Sequence, residues 1–194
     1  MKRERKERGA VALEFVLVAM LLMYFGLGIA EFGLAWQDRM TVQSATRAAA
    51  RVGTNLSTNS AADYNMLLTL NSAIQDVGVG SIQNVVIYKA AAADGLVPTS
   101  CVSAAGVVAS VTNVCNAYTG AQLASLLATQ FGSCGASGKL DNAWCPVNRQ
   151  NVLAAGPDYL GVWVRVSRPR ISKLFGSSPM KITDWTVMRL EPLT

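Results

Sequence analysis

Between Ala10 and Trp36 the chain reads AVALEFVLVAMLLMYFGLGIAEFGLAW, with no charged or strongly polar side chain from Phe15 to Ala30. As a helix rising about 1.5 Å per residue, this segment is about 40 Å long, enough to cross a bilayer with some tilt. Nothing after it can be placed until its relation to a membrane is settled. Two acids interrupt the run. Glu31 lies near the far end, where headgroups can solvate it, but Glu14 sits inside the apolar pattern behind Ala10 to Leu13. An ionisable side chain in that position calls for a functional explanation.

The preceding nine residues, MKRERKERG, carry five basic and two acidic side chains. By the positive-inside rule that end stays in the cytoplasm and everything after Trp36 is exported. The arrangement is specific: a basic head, then Gly9, then an apolar run with Glu14 at the fifth place after the glycine and Phe15 behind it. It resembles the leader of type IV pilin-like proteins, which a prepilin peptidase cuts. The longer pattern RGAVALEF, FGLGIAEFG and TVQSATRAAARVG is similar to the TadE-like family of tight-adherence pilus proteins. The resemblance covers about the first fifty residues; the closing VMRLEP is a fainter match. The sister subunit TadF shares the leader type.

The resemblance implies cleavage between Gly9 and Ala10, and a role for Glu14, with Phe15 beside it, in subunit assembly. The chemistry is coherent on its own terms. A cut after Gly9 creates an amine at Ala10, about one helical turn before Glu14. A carboxylate near an amine in lipid offsets part of the cost of burying either charge. The plainer alternative is a first-turn carboxylate that complements the helix dipole. Two other fates of the run stay open. An ordinary signal peptide cut near Ala30 would release a soluble binding domain, and an uncleaved anchor would leave a single-span envelope protein.

Composition narrows the functional classes. The leader's charges leave 12 of the 17 basic and 10 of the 12 acidic residues to the processed chain, which gives a nucleic-acid partner little support. There is no histidine, so His-containing triads, His general bases and His metal ligands are excluded. No acidic pair stands out to replace them, and the chain reads as a non-enzyme with no cofactor, no metal and no small-molecule substrate. Cys101, Cys115, Cys134 and Cys145 all follow the membrane run, and an even count in an exported segment reads as two disulfides. Three pairings are possible. Proximity favours Cys101 with Cys115 and Cys134 with Cys145; a four-cysteine zinc site is the weaker alternative, since no CxxC pair exists.

Within the apolar run, Ala12, Ala19, Gly26 and Gly33 recur every seven residues, and Ala30 shares their face. Such a stripe permits close backbone approach between helices in lipid, although small residues are also common there by chance. Residues 37–53 extend the helix amphipathically, with Val42, Ala45, Ala49 and Val52 on an apolar line and Gln43, Arg47 and Arg51 on a polar one, ending near Gly53. A polar connector follows, with Ser60 as cap of a helix over 61–77. Residues 82–89 read as a strand, 159–167 as a half-buried strand, and 182–191 as another. Residues 169–176 turn the chain. Between them, 91–156 loosens into small residues and the cysteines, with a helix only over 120–131. GSCGASG at 132–138 lacks the lysine and the preceding strand of a phosphate loop. The region is expected to be a disulfide-stapled surface insertion that buries little apolar area.

The expected architecture is therefore α+β and pilin-like. It has a leader over 1–9, a transmembrane helix over 10–36, its extension over 37–53, and an exported domain over 54–194 in which a short antiparallel sheet is backed by the emerging helix. Trp163 and Trp185 fall on adjacent strands of that sheet. The expected function is that of a minor pilin or pseudopilin of a tight-adherence pilus or secretion apparatus, acting in pilus biogenesis and surface adherence. Its partners would be prepilin peptidase, other pilins and the lipid bilayer. It would sit in the cytoplasmic membrane with its C-terminal domain outside the cytoplasm.

Overall fold

The computed structural model describes residues 2–75, 81–132, 134–170 and 176–192. Helix α1 runs from Lys2 to Leu56 and α2 from Ala62 to Gln75; strand β1 is Ser81–Ala90, β2 is Cys115–Thr119, α3 is Gly120–Ala124, β3 is Tyr159–Arg168 and β4 is Met180–Arg189. The described residues divide into two compact units, one holding 2–37 together with 170 and 176–178, the other 38–169 and 179–192. The fold class is α+β, a long apolar N-terminal helix followed by a small domain with a four-stranded antiparallel sheet.

In the first unit, α1 is apolar on all sides. Phe15, Ile29 and Phe32 are each more than 70% exposed. A helix of that composition is stable only when something apolar surrounds it, and α1 is long and apolar enough to cross a membrane.

In the second unit the same helix becomes amphipathic. Val42, Ala45, Ala49 and Ala50 are buried, while Arg47 and Arg51 face solvent. The alanines let α1 approach closely, and α2 adds Met66, Leu67, Leu70 and Ile74 to the same core. Gly53 does not end α1. A Cβ there would run into the Met66 side chain, so this glycine serves helix–helix contact, and the helix continues to Leu56. The turn after it places Ser57 at φ 51°, with its Oγ donating to the Glu191 carbonyl at 3.1 Å. Nor does Ser60 provide the cap before α2. Asn59 instead shapes the turn that leads into the helix, its Oδ1 accepting from the Ala61 N–H at 2.9 Å and its carbonyl from the Ala62 N–H at 3.0 Å.

The sheet order is β2-β1-β3-β4. One face, with Val85, Ile87, Leu160, Val162, Val164, Val166 and Ile182, packs on the helices. The opposite face was expected to be solvated along β3, but it is covered as well. Val86, Tyr88 and Trp163 form a second cluster with Cys101 and Cys115, closed by Val97, Val102, Val108 and Val111. Gly161 belongs to this face because the Tyr88 ring lies where a Cβ would stand. Trp163 and Trp185 are register partners across β3 and β4. Trp163 is buried and Trp185 is 47% exposed.

The region between β1 and β3 departs most from expectation. It is not a surface insertion, since it supplies strand β2 and the buried side chains Tyr118, Leu123, Phe131 and Trp144. The helix expected over 120–131 is only α3, followed by a 3-10 turn at Ala128–Gln130. Breaking the helix swings Phe131 into the core, where its ring centroid lies 5.6 Å from that of Tyr64 and 6.1 Å from that of Tyr118. Thr119 and Gln122 form a capping box at the start of α3. The end of the helix expected over 61–77 and most of the turn over 169–176 lie outside the described residues.

Candidate functional site

Gly9 and Ala10 both lie within α1, and Glu14 and Phe15 follow on its exposed surface. Their spacing along the helix puts Glu14 about one turn beyond Ala10. The small residues Ala12, Ala19, Gly26, Ala30 and Gly33 also fall on this stretch, and no heavy atom lies within 4 Å of a Cβ built at Gly26 or Gly33. The helix surface at both glycines is therefore open to a neighbour. Sequence reasoning named all of these positions, and the structure places them on one continuous helix without a partner that would show their use.

A second constellation escaped sequence reasoning altogether. On α2 the Asp63 carboxylate is buried and receives three donors: Arg149 Nη2 at 2.6 Å, Asn116 Nδ2 at 2.9 Å and the Tyr118 hydroxyl at 2.8 Å. Asn116 also clamps the backbone of Trp144, donating to its carbonyl and accepting from its N–H, both at 2.8 Å. The Arg149 guanidinium lies 4.2 Å from the Trp144 ring centroid. Burial and the neighbouring Asp63 charge push the Tyr118 hydroxyl pKa well above its usual value. Asp63, Asn116, Tyr118 and Arg149 are at most 3% exposed, so the cluster is sealed against any substrate and orders the domain instead. No local signal marks it, because its members come from three separate segments of the chain: Asp63 on α2, Asn116 and Tyr118 on β2, and Arg149 beyond the second disulfide.

Close by, Asp141 accepts the Gly132 N–H at 2.9 Å, and burial raises its carboxyl pKa. The disulfides join Cys101 to Cys115 across 6.3 Å between Cα atoms and Cys134 to Cys145 across 5.8 Å. All four cysteines are spent in these bonds, which leaves no thiolate for a zinc site. Among the described residues no group of three or more metal-binding side chains is gathered in one place.

The cluster around Asp63 is sealed in the core, whereas most of the large apolar side chains of α1 from Val11 to Trp36 are exposed. That stretch has a known counterpart. Residues 9–51 match the family model described as TadE-like protein. The TadE-like segment starts at the candidate processing glycine and ends at Arg51, within the part of α1 that packs on the domain. No curated protein and no solved structure matches the chain.

Proposed function

We propose that this chain is a minor pilin or pseudopilin of a tight-adherence pilus or secretion apparatus. The carrying observation is that the TadE-like match coincides with the one helix whose apolar surface is bare. In this reading residues 1–9 are a leader, and prepilin peptidase cuts between Gly9 and Ala10. The segment 10–36 spans the cytoplasmic membrane, 37–53 extends it, and 54–194 stands outside the cytoplasm, where the disulfides form.

Assembly is lateral. Glu14, with Phe15 beside it, meets the new amine of a neighbouring Ala10, and the stripe from Ala12 to Gly33 lets helices approach closely. The chain then catalyses nothing; it is the substrate of a peptidase and a building block in pilus biogenesis and adherence. No cofactor is called for, and the partners are the peptidase, other pilins of the system and the bilayer.

N-terminal sequencing of the mature protein is the test. A start at Ala10 supports the reading. An intact leader indicates an uncleaved anchor, and a start beyond Ala30 indicates a secreted domain; either overturns it. Replacing Glu14 by alanine or glutamine should impair fibre formation, and undisturbed maturation and assembly would remove its role.

A further inference from the structure

The two edges of the sheet are treated differently. The outer edge of β2 is closed by its own chain: Val111 and Cys115 exchange backbone hydrogen bonds of 3.0 Å, and Ala117 N–H donates to Ser110 Oγ at 2.9 Å. The outer edge of β4 is open. Leu190 N–H bonds the Asp158 carbonyl at 2.9 Å, continuing the β3–β4 register, which turns the even-numbered backbone groups of β4 toward β3. The N–H and C=O groups of Lys181, Thr183, Trp185, Val187 and Arg189 therefore point away from the sheet. Among the described residues, none of these groups makes a backbone hydrogen bond to another segment.

A ten-residue edge strand left bare is a template for another strand. A second copy of this chain does not fit it. Head-to-tail pairing is blocked at β2. Pairing of β4 with β4 in the antiparallel sense fails for a different reason. An antiparallel copy centred on Trp185 would set Lys181 opposite Arg189 of the second copy at both ends of the pair, cation against cation.

We propose that β4 accepts an extended segment of a different chain, one carrying carboxylates opposite Lys181 and Arg189 and an apolar side chain opposite Trp185. The face these residues share has an exposed cation at each end, exposed Trp185 midway, and no acid between. The charges are symmetric about Trp185, so an acid–apolar–acid pattern at four-residue spacing satisfies it in either strand direction.

The test uses the full-length protein in detergent micelles and two nine-residue strand-forming peptides, one with glutamate at its first and ninth positions and valine at its fifth, the other with lysines in place of the glutamates. Hydrogen exchange at the Thr183 and Val187 amides should slow at least about tenfold with the acidic peptide and not with the basic one. Val187→Pro removes one outward N–H without touching the β3 ladder and should abolish the effect. Reversing Lys181→Glu together with Arg189→Glu should transfer the preference to the basic peptide. No slowing with either peptide, or equal slowing with both, overturns the proposal. So does dimerisation of the chain alone that is lost in the Val187→Pro variant, which would install a second copy on the edge.

Discussion

The guanidinium of Arg149 lies 2.6 Å from the carboxylate of Asp63, and solvent reaches neither side chain. The pair joins α2 to the segment that follows the second disulfide, and through Asn116 and Tyr118 it also holds β2. An ion pair in this setting is worth less than its geometry suggests, because both charges were desolvated to make it. Its main consequence is specificity: only one placement of the 132–149 segment gives Asp63 all three donors.

Breaking the pair from one side should be far more costly than replacing it. Asp63→Asn alone leaves a buried guanidinium without a counter-charge and should destabilise the domain by about 3–5 kcal/mol. Asp63→Leu combined with Arg149→Met should recover much of that loss. Urea unfolding of the full-length protein followed by tryptophan fluorescence measures both, Trp144 being in direct contact with Arg149.

Asp141 should oppose folding as pH rises. Burial raises its carboxyl pKa above 3.8, so between that value and the raised one the folded state binds more protons than the unfolded chain. Stability therefore falls through this window with increasing pH. Asp141→Asn keeps an oxygen for the Gly132 N–H and removes the ionisation. The difference in stability between the variant and the parent should grow in the variant's favour as pH rises through the window and then level off. Denaturant midpoints taken at a series of pH values check it.

The two disulfides should differ in accessibility. Cys101 and Cys115 are fully buried beneath the second face of the sheet, whereas Cys134 is partly exposed. Mild thiol treatment followed by alkylation and mass spectrometry should label Cys134 and Cys145 first. Replacing both Cys101 and Cys115 by alanine should cost about 3 kcal/mol, the value for a loop of about 15 residues.

Gly26→Leu should separate folding from assembly. No atom lies within 4 Å of the Cβ position, so the substitution leaves the chain's own packing untouched. If the small-residue stripe meets other helices, the variant will retain the unfolding midpoint of the sheet domain but lose subunit association, as read by cross-linking in membranes. Unchanged association would remove the stripe from the mechanism.

Much of the fold was legible because its signals are local. The amphipathic line Val42, Ala45, Ala49 and the alternation of β3 are periodicities, and the apolar run and the β-branched residues of β1 are compositions, all of which neighbouring residues carry by themselves. The region 91–156 was not legible for the opposite reason. The five residues of β2 show no alternation of their own, and their strand character comes from pairing with β1, whose residues Asn84 to Tyr88 lie opposite them. The box formed by Thr119 and Gln122 was a readable start for α3, but nothing local showed that the helix would stop at Ala124.

The sequence by itself determined an apolar N-terminal helix, a TadE-like beginning, four cysteines after it and an α+β domain, since composition and period are properties of contiguous residues. Only the tertiary structure decided that β1 and β3 are covered on both faces, that Asp63, Asn116, Tyr118 and Arg149 form one sealed cluster, and that β4 keeps an open edge while β2 does not. These are contacts between residues distant in the chain. Which of them form depends on burying apolar surface while pairing most buried polar groups, and that balance is struck by the whole fold and by no segment of it alone.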